Sequence, residues 1–256
     1  MWKLLACSLL LTPALAHAAD ECKFQSPRNG TLDLAGVRTI QIDIGRHNLH
    51  LVGSQSGNVK IAGRACASSA SMLAALRFTQ RREGDRLILT AINNDSKTRN
   101  IFSMFDYAYL DLRVDVPNNL PIELGVGSGD ADVVGVSQLK SSTGSGDLHV
   151  HGVNGRFDAS VGSGDVDAAD VGEIHVGAIG SGDFKADRVR GDVRIASIGS
   201  GDATLRTIGG SVDVGTVGSG GLSVDGVSHD LHVHSVGSGD VEHKGVAGRV
   251  DVPKDD

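Results

Sequence analysis

The sequence predicts an all-β fold, a single-stranded right-handed β-helix (β-solenoid), and three observations carry that prediction. First, the tetrapeptide Gly-Ser-Gly-Asp recurs with starts at Gly127, Gly144, Gly162, Gly180, Gly199, Gly218 and Gly237, Gly221 replacing the aspartate in the sixth copy. Second, successive starts lie 17 to 19 residues apart. A unit that short buries too little to fold alone, so it must stack on its neighbours. Third, apolar residues fall into columns between the markers. One segment gives Leu148, Val150, Val153; Val166, Ala168, Val171; Phe184, Ala186, Val189; and Leu222, Val224, Val227. A second gives Phe157, Ala159, Val161; Ile174, Val176, Ile179; Val193, Ile195, Ile198; Val212, Val214, Val217; and Leu231, Val233, Val236. Alternation with period two marks strands with one buried face, and the wide use of Val and Ile agrees.

Two segments per repeat describe one coil, with each coil hydrogen-bonded to the next as parallel strands. Seven coils at a strand spacing of ~4.8 Å stack to roughly 30 Å. The Gly-Ser-Gly corner is expected to bend sharply because glycine takes positive φ freely, which accounts for many of the 35 glycines without disorder. A left-handed hexapeptide helix has a turn of similar mean length. It wants a small residue where Val161-Gly162-Ser163-Gly164-Asp165 places an aspartate, and its turns do not drift in length, so the right-handed form is expected.

Residues 1–19 read as a secretory signal peptide: Lys3 gives the basic start, Leu4 to Leu11 a short apolar run, and Ala16-His17-Ala18 a small-x-small cleavage site. The run is too short for a permanent span. A periplasmic or secreted protein with no membrane anchor is expected. Two cysteines follow, Cys22 and Cys66, and a pair in an oxidising compartment is most simply a disulfide. The formal charge of −7 falls by one when Lys3 leaves with the signal. An acidic chain without a basic cluster argues against nucleic acid or anionic membrane as the main partner. Arg81-Arg82 is only a doublet, read as part of a polar turn with Glu83-Gly84-Asp85.

Residues 20–124 form irregular β layers, either the wider first coils or a cap. Thr39 to Ile44, Leu49-His50-Leu51, Val59-Lys60-Ile61, Leu87-Ile88-Leu89 and Tyr109 to Val116 alternate as strands, Pro117 closes the last, and Ser71 to Leu76 is a helical turn or loop. Phe102, Phe105 and Tyr107 mark a candidate recognition loop, with the alternative that these rings cover the open end of the core. Residues 125–256 are the regular repeats. Val250 to Asp256, with Pro253 and three charges after Val252, reads as a cap that blunts the last edge.

The order of signal peptide, irregular strands, Val114-Asp115-Val116-Pro117-Asn118-Asn119-Leu120 and repeated Ser-Gly-Asp coils resembles the bacterial "putative-adhesin" family of β-strand repeat proteins, related to auto-transporter adhesin head (GIN) domains. The resemblance implies a right-handed β-helix similar in shape to pectin lyases and an adhesive role, with no catalytic motif to carry over.

Three constellations bear on chemistry. The aspartate column Asp130, Asp147, Asp165, Asp183, Asp202 and Asp240 would place carboxylates ~5 Å apart, where like charges repel. Calcium would relieve that, but the spacing of the known calcium solenoid repeat is missing. The competing reading has each carboxylate accepting corner amides, and Gly221 favours it. His149-x-His151 and His232-x-His234 each share one outward face and are candidate ligands for zinc or copper. They fall in different segments of distant coils. His175 and His232 share an outward column with Lys140, Asp158, Arg194 and Asp213. A carboxylate pair at glycosidase spacing arises in any such ladder and so discriminates nothing, and no catalytic residues are assigned. The reading is an exported non-enzymatic binding protein presenting flat faces to an envelope polysaccharide or surface protein. The alternatives are a polysaccharide-active lyase or hydrolase on the same scaffold, and a structural or self-associating envelope protein.

Overall fold

The computed structural model describes residues 22–94 and 106–253. The leader read over residues 1–19, and Phe102 and Phe105 of the candidate loop, lie outside them. The chain enters through β1 (Phe24–Pro27) and β2 (Gly30–Leu32), then makes a turn of two strands, β3 (Thr39–Gly45) and β4 (Asn48–Ser54). Next come β5 (Val59–Ala67), α1 (Ala70–Ala75), β6 (Leu76–Glu83), β7 (Arg86–Asn93) and β8 (Ala108–Pro117). The seven marked turns follow, each a pair of strands: β9 (Pro121–Val126) and β10 (Ala131–Val134); β11 (Gln138–Thr143) and β12 (Leu148–His151); β13 (Arg156–Val161) and β14 (Val166–Val171); β15 (Glu173–Ile179) and β16 (Phe184–Val189); β17 (Val193–Ile198) and β18 (Ala203–Ile208); β19 (Val212–Val217) and β20 (Gly221–Val227); β21 (Leu231–Val236) and β22 (Asp240–Val246). A last short strand, β23 (Val250–Asp251), sits on β21.

The two strands of every marked turn belong to different sheets, and each sheet runs the length of the stack. One is ordered β1-β5-β8-β4-β10-β12-β14-β16-β18-β20-β22, with β2 also on β5, and the other β23-β21-β19-β17-β15-β13-β11-β9-β3-β7-β6. The marked turns pair in parallel throughout, as a β-solenoid requires. Between the sheets the inward columns close into one core. Leu49, Ala131, Leu148, Val166, Phe184, Ala203 and Leu222 are in register along the first sheet, and all are buried. Phe184 fits because Ala203 stands on it; Phe157 faces it from the other sheet at 6.5 Å between ring centroids. Large beside small keeps the layers interdigitated at interior density.

The first half departs from a simple run of coils. β3 pairs with β7 on one side and β9 on the other, while β4 pairs with β8 and β10. The first turn in sequence therefore lies inside the stack, between the later segment 86–117 and the first marked turn. β5 and β6 then run antiparallel to β8 and β7 at that end. They close it with a β-cap whose N-terminal strand is tied down by the Cys22–Cys66 disulfide. Ser69 starts α1, its Oγ accepting the Met72 N–H at 3.3 Å. Arg81 and Arg82 belong to strand β6 rather than a turn, and Arg82 donates to the carbonyls of Asp33 and Ala35.

The expected role of the marker glycines needs correction. None of them has positive φ; among the described glycines only Gly36, Gly45, Gly84, Gly135, Gly152, Gly226 and Gly245 do. Glycine is required at the corner for a different reason, the approach of one coil to the next. A Cβ on Gly182 would stand 2.8 Å from the carbonyl carbon of Gly164 and nearer still to its oxygen. Gly146, Gly164, Gly201 and Gly220 meet the coil before them in the same way. The closeness follows from the hydrogen bonds there: Ser181 and Gly182 both donate to Gly162 O, and Ser200 and Gly201 both donate to Gly180 O.

Candidate functional site

The aspartate column is a hydrogen-bond ladder. The N–H of Asp147 donates to Asp130 Oδ1 at 3.3 Å, Asp165 to Asp147 at 3.3 Å, Asp183 to Asp165 at 3.0 Å and Asp202 to Asp183 at 3.3 Å. Gly221, which lacks the carboxylate, still donates to Asp202 Oδ1 at 2.7 Å, and the N–H of Asp240 turns instead to Gly220 O. The carboxylates of Asp130, Asp147, Asp165, Asp183 and Asp202 thus each receive an amide dipole from the next coil, which offsets the repulsion along the column. The same device recurs at the opposite corner, where Ser211 donates to Asp192 Oδ1 and Arg249 to Asp230 Oδ1. Among the described residues no three His, Cys, Asp or Glu side chains converge on a point fit for a metal ion.

The two His-x-His pairs differ. His149 Nδ1 lies 3.4 Å from Asp167 Oδ2, and His151 Nδ1 lies 3.2 Å from Asp170 Oδ2, so these imidazoles engage separate carboxylates. His232 and His234, on the other sheet, touch each other, with ring centroids 4.1 Å apart. The outward column Lys140, Asp158, His175, Arg194, Asp213 and His232 is in register from β11 to β21. Its members from Lys140 to Asp213 line a shallow groove of about 480 Å³ together with the small residues Ser160, Gly177, Ala196 and Gly215. Tyr107, the described member of the candidate loop, is half-buried, and its hydroxyl accepts the Lys23 N–H at 3.0 Å.

A feature missed in the sequence lies at the corner before the last apolar residue of each first segment. Gly135, Gly152, Gly226 and Gly245 take positive φ there, and so do Asp170 (58°), Arg188 (55°) and Thr207 (54°) in the three consecutive turns between. A left-handed conformation costs an L-residue roughly 1–2 kcal/mol, and a β-branched one is a genuine outlier. The signal was readable in alignment: a glycine column interrupted three times running. Asp170, Arg188 and Thr207 line a groove of about 740 Å³ with Arg190, Arg206 and Asp225. Arg188 holds Asp170 in a two-point pair, Nε to Oδ1 at 2.8 Å and Nη2 to Oδ2 at 2.9 Å, and also contacts Asp187. That hydrogen bond, with the charge of Arg188 behind it, lowers the Asp170 pKa below the usual carboxylate value. The same hydrogen bond raises Arg188. Asp225 pairs with Lys244 at 3.1 Å. The carboxylates of this corner are therefore engaged. The Arg190 guanidinium rests on neutral carbonyls of Asp170, Val153 and Asn154, and Arg206 has no carboxylate within 4 Å among the described residues.

No protein-family model matches the chain, and no curated protein is significantly similar to it. Among solved structures it is similar to a "putative cell adhesion protein" from Clostridium sporogenes, at 14% identity and TM-score 0.37, over 88% of this chain and 100% of that one. It is also similar to a "putative adhesin" from Parabacteroides merdae at 14% identity and TM-score 0.45, over 90% and 96%. A third is a "putative lipid binding protein" from Parabacteroides distasonis, at 14% identity and TM-score 0.41, over 88% and 96%. Likeness this distant says nothing about a ligand.

Proposed function

We propose that the chain is an exported, non-enzymatic binding module whose ligand is an extended envelope polysaccharide bearing anionic groups, lying along the left-handed corner across successive coils. The observation that carries the reading is the strain at Asp170, Arg188 and Thr207. Three adjacent turns hold side chains where their neighbours use glycine, and strain of that kind persists where side chains are needed for function. Those side chains border the groove lined also by Arg190 and Arg206, neither of which forms an ion pair with a carboxylate among the described residues. Guanidinium groups suit carboxylate, sulfate or phosphate substituents because their planar fork matches two oxygens at once. The coils repeat along the groove, which suits a polymer with a repeating charge better than a compact molecule.

The test is co-sedimentation of the protein with insoluble acidic and neutral polysaccharides, with sugar ends measured in the supernatant. Pelleting with the acidic polymer, reduced at least 10-fold in affinity by Arg206→Ala, supports the reading. Release of sugar ends overturns it in favour of a lyase or hydrolase. Equal pelleting of Arg206→Ala removes the corner from the site, and no pelleting by any polysaccharide leaves a surface protein as the partner class.

A further inference from the structure

We infer that His232 and His234 form a two-histidine site for a borderline transition-metal dication of the Zn2+ or Cu2+ class, supported from behind by Asp251 and Asp213. The inference rests on a count of hydrogens. Leu231 and Val233 of β21 point inward and are buried, so His232 and His234 share the outer face of the strand. Asp251, on β23, and Asp213, on β19, flank them. His232 Nδ1 lies 3.1 Å from Asp251 Oδ2, His232 Nε2 lies 3.2 Å from His234 Nδ1, and His234 Nε2 lies 2.9 Å from Asp213 Oδ1.

Each of these three contacts needs a bridging hydrogen or cation, and imidazoles in the neutral form carry only one hydrogen each. Carboxylates are the stronger acceptors, so both hydrogens belong on the outer nitrogens, directed at Asp251 and Asp213. The inner nitrogens, His232 Nε2 and His234 Nδ1, are then left lone pair to lone pair across 3.2 Å. That separation is close to the ~3.3 Å between two imidazole nitrogens each bound at ~2.0 Å to a tetrahedral ion. The outer pairs reproduce the carboxylate–histidine–metal arrangement, in which a second carboxylate fixes the tautomer and raises ligand basicity. Imidazole nitrogen selects zinc and copper over calcium or magnesium.

Two protein ligands leave the remaining positions to water or to a ligand from outside, consistent with the absence of any three-residue cluster among the described residues. The rings are 40% and 55% exposed, so an ion reaches them directly. His149-x-His151 has the same sequence pattern but sends its two Nδ1 atoms to different carboxylates. It supplies an internal control.

The experiment titrates tag-free protein, stripped with chelator, with zinc chloride by calorimetry, and follows the imidazole ring signals by NMR. One ion per chain is expected, with the signals of His232 and His234 shifting together. His234→Ala should weaken binding at least 10-fold. Asp213→Asn should weaken it ~10-fold, as loss of a supporting carboxylate does. The double variant His149→Ala/His151→Ala should match the parent. The inference is overturned if the parent shows no binding at millimolar zinc, if His234→Ala binds equally, or if a proton rather than zinc is found between the two rings in excess zinc.

Discussion

Replacing Gly182 with alanine tests the explanation given for the repeated marker. The new Cβ would lie 2.8 Å from the carbonyl carbon of Gly164 and closer to its oxygen, whereas real Cβ contacts essentially never fall below 3.0 Å. The obstacle is backbone, so no rotamer change relieves it. The coils must separate locally by about 1 Å. Three bonds span that gap: Ser181 N–H to Gly162 O at 2.8 Å, Gly182 N–H to Gly162 O at 3.2 Å, and Asp183 N–H to Asp165 Oδ1 at 3.0 Å. Stretched by that amount, none stays within hydrogen-bonding range. At about 1–2 kcal/mol for each bond broken with partners left half-desolvated, the expected loss is about 3–6 kcal/mol. Ser181→Ala, at an exposed position one residue earlier, should stay within about 0.5 kcal/mol of the parent. Urea unfolding followed by circular dichroism measures both. A Gly182→Ala protein within about 1 kcal/mol of Ser181→Ala would refute the close-approach argument, and would return the marker to the role of a flexible bend.

Other substitutions probe other strata of the same fold. Thr207→Gly removes a β-branched residue from φ 54° and should raise stability by about 1 kcal/mol in the same urea assay; on the proposed function it should also weaken polysaccharide pelleting. Thr143 points into the core between Val126 and Val161, 3% exposed, with its hydroxyl unpartnered. Thr143→Val should therefore stabilise by about 1–2 kcal/mol, seen as a higher midpoint at unchanged slope. His47 is 2% exposed, and its Nδ1 accepts the Leu110 N–H at 3.2 Å. Burial, and then the charge of Arg46, lower its pKa from 6.5 to about 4. The folded state thus disfavours the cation: its contribution is whole above pH 6.5 and is lost as pH falls from 6.5 to 4. That loss amounts to about 3 kcal/mol. His47→Gln should flatten that part of the stability profile, and an unchanged slope would sink the assignment.

The repeats were legible because their physics is local and periodic. Val166, Ala168 and Val171 declare a buried face within six residues, and the seven markers fix the register between coils. The same reasoning correctly joined Lys140 to His232 in one outward column. Order along the stack was not legible. Nothing in the alternation of Thr39 to Ile44 says that β3 will be flanked by β7 and β9 rather than by its successor in sequence, because all three present the same apolar face. Gly45-Arg46-His47-Asn48 before Leu49-His50-Leu51 was the available clue, since it mirrors Gly144 to Val150. Its middle residue is a histidine, and the marker was defined by glycine. The reason for the glycines was also out of reach: sequence shows that a side chain is missing, not whether torsion or a neighbouring coil forbids it.

In a solenoid each turn serves as a control for the others, which changes where function should be sought. Positions obeying the column rule are explained by packing. The marker glycines, the aspartate ladder and the inward aliphatics all have that explanation, so they carry little information about a partner, however often they recur. The departures are informative because an alternative residue stands at the equivalent position a few ångströms away. At the left-handed corner glycine is used four times among the seven marked turns, yet Asp170, Arg188 and Thr207 stand in the middle three. Chance relaxation would scatter such exceptions and would not preserve a two-point ion pair between adjacent members. Grafting glycine at both Arg188 and Thr207 therefore separates the two accounts. If the corner exists for stability, the loss of the Arg188–Asp170 pair should outweigh the relief of strain. If it exists for binding, the double variant should be at least as stable as the parent in urea and should no longer pellet with acidic polysaccharide.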